Sequence, residues 1–408
     1  MKINFILLKC LVYALYINFL NSQLTIQNNS KNIDLQKPYN NTKGQNFNLL
    51  HSIEYGKENV ENSRLKRAVA PNPNLKWPRT IYYTVRPPLP AKKISIALNG
   101  IARQTCIKFV KVPRLNGPGL VFYRGDGCWS LLGKVSSSSP QPISMLPKCL
   151  FNGVIQHETL HALGLDHEMS RRDRGHYITI NFQNAAPGFK HFVGFDPNLK
   201  TYNLKYDYGS VMHYNRFSSS VNGRITIMTR NMHYLKTIGQ VHAASFKDIK
   251  LVNLHYCSNV CQRKLRCFNN GYTNPNNCSL CKCPTFFAGK LCNKLKRSQR
   301  GCPKQNLIST VNRKNLSIQG IKSCIVRIIA PKRKRVKLHI NNSQFTNFKV
   351  CEPFKGLEVK FLLDKSVTGA RFCGSDRNKL IVSPGNSIIL HYRGFKPTDK
   401  ISITYKTV

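Results

Sequence analysis

The chain has 408 residues, of which 41% are hydrophobic, so it is long and apolar enough for two or more domains with buried cores. Lys and Arg together number 63 against 17 Asp and Glu, which gives a formal net charge of +46. No segment after residue 20 is long and apolar enough to span a membrane, which argues against a membrane-embedded fold.

The N-terminus starts with a basic residue and continues into an apolar run that reaches Leu20. This pattern predicts a signal peptide over residues 1–22 and a soluble protein that is secreted to the extracellular space. Lys9 and Cys10 interrupt the apolar run, so a weak signal or a short membrane anchor is the alternative.

Residues 23–67 are polar, rich in Asn and without clear periodicity. They end at Arg64-Leu65-Lys66-Arg67, a sequence typical of a cleavage site for a furin-like protease. We expect cleavage after Arg67, which makes the amine of Ala68 a new N-terminus.

Three elements of regular structure are predicted in the next part of the chain. The segment from Thr80 to Val85 alternates aromatic and β-branched residues, which indicates a strand. Apolar residues recur at helical spacing from Ile94 to Thr105, which favours a helix. A further short strand is predicted over residues 119–123.

The stretch HETLHALGLDHE, which starts at His157, predicts a metal site. Residues four apart share one face of a helix, so His157 and His161 can direct their imidazoles at one ion. Gly164 can adopt a positive φ, end the helix and return the chain so that His167 becomes a third nitrogen ligand. Three protein ligands leave the open position of a catalytic zinc, whereas structural zinc sites are closed by four.

A second motif, Ser210-Val211-Met212-His213-Tyr214, follows downstream. The extended histidine motif together with such a Met-turn is the metzincin signature. The chain resembles the astacin family of metalloendopeptidases, of the nematode type with EGF-like and CUB modules. The family pattern HExxHxxGxxHExxRxDR is matched through Arg174, and the acid that usually follows is Gly175 here. The resemblance covers most of the chain from Ala68 onward.

The resemblance implies an α+β metzincin peptidase domain, with a twisted sheet and an active-site helix, over residues 68–257. It implies that Glu158 acts as general base on a water at the zinc. It further implies that Tyr214 leaves the metal when substrate binds and then donates a hydrogen bond to the oxyanion. The implied zinc ligands are His157, His161, His167 and Tyr214.

Four further residues have supporting roles in this family. Met212 is expected to form an apolar floor beneath the histidines, and Gly164 to end the active-site helix. Glu168 is expected to lie against the freed amine of Ala68, because a buried carboxylate needs a partner of opposite charge. We also expect residues 144–146 to form the edge strand that pairs with extended substrate.

Two smaller modules follow. Residues 258–293 have the cysteine spacing C-x5-C-x10-C-x2-C-x-C-x8-C, which is close to an EGF-like module. A basic linker over residues 294–301 leads to short β-rich runs over residues 302–408, which predict a β-sandwich and resemble a CUB module. The chain has 15 cysteines, and removal of Cys10 with the signal leaves an even number for disulfides. The resemblance implies the pairs Cys106–Cys257 and Cys128–Cys149, and the expected pairs of the small modules are Cys261–Cys278, Cys267–Cys281, Cys283–Cys292, Cys302–Cys324 and Cys351–Cys373.

The resemblance implies a secreted zinc endopeptidase of extracellular proteins, made as a zymogen with residues 23–67 as its propeptide. Glu54 or Glu58 is a candidate for blocking the zinc before cleavage. The alternative is a catalytically silent adhesion protein built on the same modules. No proposed catalytic residue lies beyond Cys302, so removal of residues 302–408 is expected to spare cleavage of short peptides.

The positive charge of a secreted protein favours sulfated glycans, acidic matrix or anionic cell surfaces as partners rather than nucleic acid. Compositional bias is the alternative explanation, because Lys, Asn and Ile are abundant throughout the chain. Sequons for N-glycosylation fit the same compartment. They are Asn28, Asn40, Asn277, Asn315 and Asn341.

Overall fold

The computed structural model describes residues 75–195 and 199–408. The predicted signal peptide and propeptide, Arg67, Ala68 and the sequons at Asn28 and Asn40 lie outside the described residues. Within the described residues, no helix has the length and apolar character needed to cross a membrane.

The N-terminal domain of the described residues, up to Cys257, contains in its first half a five-stranded sheet with the order β2-β1-β3-β5-β4. All neighbouring pairs are parallel except β4–β5. The strands are β1 Thr80–Val85, β2 Lys108–Lys111, β3 Leu120–Tyr123, β4 Trp129–Ser130 and β5 Gln141–Ser144. The two edges of this sheet are therefore β2 and β4. The prediction that residues 144–146 form an edge strand is wrong, because Ser144 pairs with Trp129 on one side and with Tyr123 on the other.

The described residues contain four α-helices, and two of them cover this sheet. They are α1 Ala91–Ala102, α2 Asn152–Ala162, α3 Phe189–Phe192 and α4 Phe246–Tyr256. Every residue of α2 after Asn152 is buried, so α2 runs through the centre of the domain. The Nε2 atom of Gln156 donates to the carbonyl of Ala97 in α1 at 3.1 Å, and Gly100 permits this approach because a Cβ there would lie 2.4 Å from the same nitrogen.

The second half of the N-terminal domain has little regular structure. A two-stranded antiparallel ribbon pairs β6 Ile178–Ile180 with β7 Ile227–Thr229. Helix α4 starts at a capping box in which the side chains and backbone amides of Ser245 and Asp248 bond reciprocally. The helix ends beside Cys257, whose disulfide with Cys106 links it to the segment that follows α1.

The fourteen cysteines of the described residues form seven disulfides, and the pairs are the ones that the family resemblance suggested. Three of these bridges hold the small module of residues 258–293, which has short ribbons in place of an extensive core. Its strands are β8 Tyr272–Asn274, β9 Asn277–Lys282 and β10 Phe287–Ala288. Strand β11 Lys294–Leu295 pairs with β10, so the first two residues of the predicted linker belong to this fold. The bridges are Cys106–Cys257, Cys128–Cys149, Cys261–Cys278, Cys267–Cys281, Cys283–Cys292, Cys302–Cys324 and Cys351–Cys373.

The C-terminal module is a sandwich of two sheets with the orders β12-β14-β19-β16-β17 and β13-β20-β15-β18. Buried and exposed residues alternate along strands such as β20, so the two inner faces form the core. The strands are β12 Asn306–Ile308, β13 Lys314–Gln319, β14 Ser323–Ile329, β15 Val336–Gln344, β16 Gly356–Lys360, β17 Ala370–Phe372, β18 Ser375–Val382, β19 Ser387–Arg393 and β20 Lys400–Thr407.

The sandwich core is continuous with the core of the second half of the N-terminal domain. Tyr208 and Tyr214 belong to the same buried cluster as Leu338 and Val359 of the sandwich. The sheet and α2 of the first half form a separate cluster. The two modules are therefore packed as one body at this junction.

An ion pair crosses this junction between α4 and the loop after β16. The Nζ atom of Lys247 lies 2.9 Å from Oδ2 of Asp364, and both side chains are largely buried. Burial alone raises the pKa of Asp364, but the hydrogen bond from Ser366 and the charge of Lys247 outweigh it and hold the pKa well below its usual range. Asp364 also acts electrostatically on Lys250, Lys360 and Lys365.

We expect Asp364→Asn to lower the free energy of unfolding by about 1.5–3 kcal/mol at neutral pH, because Lys247 loses a charged acceptor in a buried position. The folded-state pKa of Asp364 lies below its unfolded value of about 3.9. Its ionised form therefore stabilises the protein above that value, and this contribution is lost as the pH falls further. The gap in thermal midpoint between wild type and variant should shrink as the pH drops below about 4.

Calorimetry over this pH range measures the gap directly. The matched control is Glu352→Gln, which removes an exposed acid paired with Lys355 in the same module and should have a smaller effect. A gap for Asp364→Asn that is the same in acid as at neutral pH would contradict the assignment of the ion pair.

Candidate metal centre

Helix α2 and the turn after it bring three histidines together. His157 and His161 lie one helical turn apart, and the Nε2 atoms of their rings are 3.0 Å apart. The Nε2 atom of His167 lies 3.1 Å from that of His161. Within the described residues, this is the only group of three His, Cys, Asp or Glu side chains with its ligand atoms close enough for one ion.

Gly164 allows the chain to reverse its direction directly after α2. Gly164 has a φ of 92°, and its amide donates to the carbonyl of His161 at 2.8 Å. The amide of Leu165 donates to the carbonyl of Leu160 at 2.9 Å, which completes a Schellman motif. The motif reverses the chain at once, and His167 reaches the open face of the helix as the sequence predicted.

The donor set fits zinc. The Nδ1 atom of His157 bonds to the carbonyl of Val211 and that of His161 to the carbonyl of Leu165, both at 2.8 Å. Each Nδ1 therefore carries the proton, which leaves the Nε2 lone pairs free to point at one place. Bonds of about 2.0–2.1 Å from nitrogen to a tetrahedral zinc put the nitrogens about 3.3 Å apart, close to the separations seen here.

Glu158 follows the first histidine and is fully buried within α2. Tyr214 is 3% exposed, and its ring centre lies 4.6 Å from that of His167. A buried acid thus directly follows the first histidine in α2, and a phenol lies against the third histidine. These are the residue types expected for a general base and an oxyanion donor.

The Met-turn is held by α4. Asp248 accepts a hydrogen bond from the hydroxyl of Ser210 at 2.6 Å and one from the amide of Val211 at 2.9 Å. Burial raises the pKa of Asp248 to about 6, although these hydrogen bonds oppose the rise. Met212 is 2% exposed and belongs to the core cluster of the first half, in agreement with a packing role.

Both ring nitrogens of His213 have hydrogen-bond partners outside the histidine cluster. Its Nδ1 bonds to the carbonyl of Tyr214 and its Nε2 accepts from the hydroxyl of Tyr206, both at 2.7 Å. Burial lowers the pKa of His213 to about 3, so the ring is neutral and both of its nitrogens are used in positioning the turn.

Glu168 directly follows the third histidine, and its side chain is largely buried. Burial raises its pKa to about 8, although the charge of Arg171 opposes the rise. Its Oε1 accepts from the amide of Asp207 at 2.7 Å and from Arg171 at 3.3 Å. Beside it lies a cavity of about 410 Å³ whose lining includes Leu75, Lys76, Leu163, Leu204 and Tyr256.

Sequence reasoning missed three residues of this site, namely Asp207, Tyr206 and Asp248. A signal existed for Asp248, because Ser245-Phe246-Lys247-Asp248 has the spacing of a capping box. Nothing in the sequence near Asp207 or Tyr206 shows that they contact Glu168 and His213, since those contacts depend on how distant loops pack.

A buried helix with HExxH, a glycine turn to a third histidine and a Met-turn below them define a zinc metallopeptidase domain. Comparison with known proteins identifies the family. The model of the Astacin peptidase family matches residues 69–257. Zinc metalloproteinase nas-23 of Caenorhabditis elegans is 32% identical over 377 residues, which cover 88% of this chain and 70% of that protein. The chain belongs to the astacin family.

Two further relatives and one solved structure are matched over smaller parts of the chain or of their own length. Zinc metalloproteinase nas-34 of Caenorhabditis elegans is 35% identical over 318 residues, which cover 76% of this chain and 52% of that protein. The chain thus spans about half the length of this relative, and 43% of zinc metalloproteinase nas-37. Among solved structures, high choriolytic enzyme 1 from Oryzias latipes, a hatching enzyme zinc-protease, is 31% identical with a TM-score of 0.40, covering 43% of this chain and 88% of that one.

We expect the protein to bind one zinc ion and His161→Ala to weaken zinc binding by more than about 100-fold, because changes outside a ligand set already weaken it about 10–100-fold. Metal analysis after dialysis against a graded series of chelator concentrations measures the loss. The control is His176→Ala, which removes an exposed histidine outside the cluster. Equal zinc retention by the two variants would show that the three histidines are not the site.

Proposed function

We propose that the mature chain is a secreted zinc endopeptidase that hydrolyses extended extracellular protein substrates. The observation that carries this proposal is the convergence of three Nε2 atoms next to a buried glutamate and a tyrosine. The catalytically silent alternative has no such support, because every residue type that peptide hydrolysis needs is present at the cluster.

Zinc bound by His157, His161 and His167 would supply Lewis acidity, which brings the pKa of water at the metal to about 7. Glu158 takes a proton from the water that attacks the scissile carbonyl and delivers it to the leaving amine. Tyr214 donates its phenolic hydrogen to the oxyanion. The free edge of β4 offers backbone groups that can pair with an extended substrate.

We expect Glu158→Gln to abolish most peptidase activity, by about 10²–10⁴-fold, because proton transfer by the carboxylate is lost while the side chain keeps its shape. Zinc content should stay at the wild-type level, since Glu158 is not one of the ligand group. Cleavage of a quenched fluorescent peptide library by the processed protein, together with metal analysis, checks both statements. Activity within tenfold of wild type in the variant would refute the role of Glu158.

We further propose that cleavage after Arg67 activates a zymogen whose propeptide is residues 23–67. The support is the cavity beside Glu168, which has Leu75 in its lining only seven residues after Ala68. An ammonium group that enters this cavity would give the buried carboxylate of Glu168 a second partner of opposite charge besides Arg171. Cleavage would thus order the wall of the cleft on which His167 lies.

We expect Lys66→Ala/Arg67→Ala to accumulate as a longer protein with little activity, because the basic cleavage site is lost. N-terminal sequencing of active wild type should begin at or within a few residues of Ala68. The matched control is Lys57→Ala, which changes a basic residue of the propeptide away from this site. An active form that begins upstream of Arg64 would contradict this route of maturation.

A sulfated glycan is the second partner that we propose, and it rests on one face of the sandwich. Lys337 and Lys406 lie directly opposite each other on neighbouring strands. Like charges in this arrangement destabilise a sheet, so their presence favours an anionic ligand over them. The exposed turn of residues 332–335, which reads Lys-Arg-Lys-Arg, precedes β15 and continues the same basic surface.

We expect Lys337→Gln/Lys406→Gln to elute from heparin at lower salt than wild type, because two adjacent charges of this surface are lost. The control Lys92→Gln/Lys93→Gln removes the same charge from exposed positions on α1. Equal elution of the two double variants would assign heparin binding to overall charge and remove the sandwich surface as its site.

The described sequons differ in accessibility. Asn277 and Asn315 are exposed, which suits a glycan in an extracellular protein. The amide of Asn341 donates to the hydroxyls of Thr404 and Ser402 on the neighbouring strand. We propose glycans at Asn277 and Asn315 and a structural role for Asn341.

A further inference from the structure

The loop between β16 and β17, residues 361–369, reaches from the C-terminal sandwich to the segment that precedes the Met-turn. The amide of Thr368 donates to Oδ1 of Asp207 at 3.0 Å, and the amide of Gly209 donates to the same oxygen at 3.1 Å. The amide of Asp207 in turn donates to Glu168 at 2.7 Å. Two hydrogen bonds therefore connect the sandwich to the residue that follows the third histidine.

The same loop also contacts α4, the helix that holds the Met-turn. Asp364 binds Lys247, which directly precedes Asp248 in α4. Asp248 holds the hydroxyl of Ser210 and the amide of Val211, and the carbonyl of Val211 fixes the ring of His157. The loop thus contacts both elements on which the geometry of the Met-turn depends.

The contact between Thr368 and the catalytic domain leaves no room for a side chain at position 209. A Cβ on Gly209 would lie 2.3 Å from Cγ2 of Thr368, and the three atoms nearest to it all belong to the Thr368 side chain. No positive φ constrains Gly209, so the fit against Thr368 is the reason a side chain is excluded there.

The loop is also held firmly within its own module. Glu358 accepts from the amide of Gly369 at 2.9 Å and from Nε of Arg371 at 3.2 Å. The backbone amide of Arg371 donates to the hydroxyl of Thr237 at 2.9 Å, which adds a further bond to the catalytic domain. A loop fixed at both ends can transmit the position of the sandwich to the residues that it contacts.

We propose that residues 361–369 are a positioning element of the peptidase site, so that Thr368 and Asp364 of the C-terminal sandwich hold the Met-turn and Glu168 in their working positions. This inference rests on the proposed peptidase activity. It argues against the expectation that residues 302–408 can be removed without loss of short-peptide cleavage, because their removal also exposes the apolar core that both modules share.

Complementary size changes at positions 209 and 368, one larger and one smaller, test the proposal in the full-length processed protein. Gly209→Ala introduces a methyl group against Thr368, and Thr368→Gly removes the side chain that it meets. We expect Gly209→Ala to lower kcat for a short peptide by about 10–100-fold, because small displacements at a catalytic site have effects of this size. Gly209→Ala/Thr368→Gly should recover most of the loss. Gly117→Ala, at a glycine with open space around its Cβ position, is the matched control.

Amide hydrogen exchange of the zinc-free proteins gives a readout that does not depend on catalysis. Exchange over residues 207–214 should rise in Gly209→Ala and return toward wild type in the double variant. Wild-type kcat in Gly209→Ala, or a double variant no better than the single one, overturns the proposal. A wild-type protein that cleaves no peptide overturns the proposed function instead, and the exchange data then decide the positioning role alone.

The ion pair provides a second test if Gly209→Ala does not fold. Lys247→Ala and Asp364→Ala lie away from the zinc ligands and remove the two halves of one contact. Each should lower kcat, and the double variant should be no worse than either single variant, because the interaction is already lost. Fully additive effects, or single variants with wild-type kcat, overturn the claim that this pair positions the Met-turn.

Discussion

The site depends on the direction of three imidazole lone pairs. An Nε2 atom can bind a metal only when the proton of its ring lies on Nδ1, and in two of the three rings a backbone carbonyl fixes that proton. One carbonyl belongs to Leu165 in the helix-ending turn, and the other belongs to Val211 in the Met-turn. The coordinating geometry is therefore set by backbone segments that are 54 and 4 residues away from the histidines they orient.

Acidic residues are scarce in this chain, and four of them lie buried or largely buried around that geometry. Glu158 lies in α2, and Glu168 follows the third histidine. Asp207 binds the backbone just before the Met-turn, and Asp248 binds the first two residues of the turn. Each of the last three accepts hydrogen bonds from backbone amides. In a chain with 63 basic residues, these carboxylates stabilise loops that have little regular structure of their own.

The sequence predicts the parts of the site that are local in the chain. The spacing of His157 and His161 and the glycine at position 164 suffice for the histidine cluster, because a helix and its C-terminal turn are short-range structures. Strand β1 was predicted with its bounds because the alternation of aromatic and β-branched residues is also a local pattern. The prediction of the edge strand was wrong, and the contact between Asp207 and Thr368 was not predicted. Each depends on contacts between distant parts of the chain, which the local sequence pattern does not encode. The two residues of that contact are 161 positions apart.

The division of the apolar core has a consequence for how the protein opens. The boundary between the two clusters does not follow the module boundary near residue 300 but passes through the Met-turn, with Met212 on one side and Tyr214 on the other. Groups of residues that share a core tend to unfold as one cooperative unit. The second half of the peptidase domain should therefore lose its structure together with the sandwich. The five-stranded sheet and helix α2 should persist as a separate unit. The seam between the two cooperative units then passes through the Met-turn, so the hinge of any opening motion lies at residues 212–214.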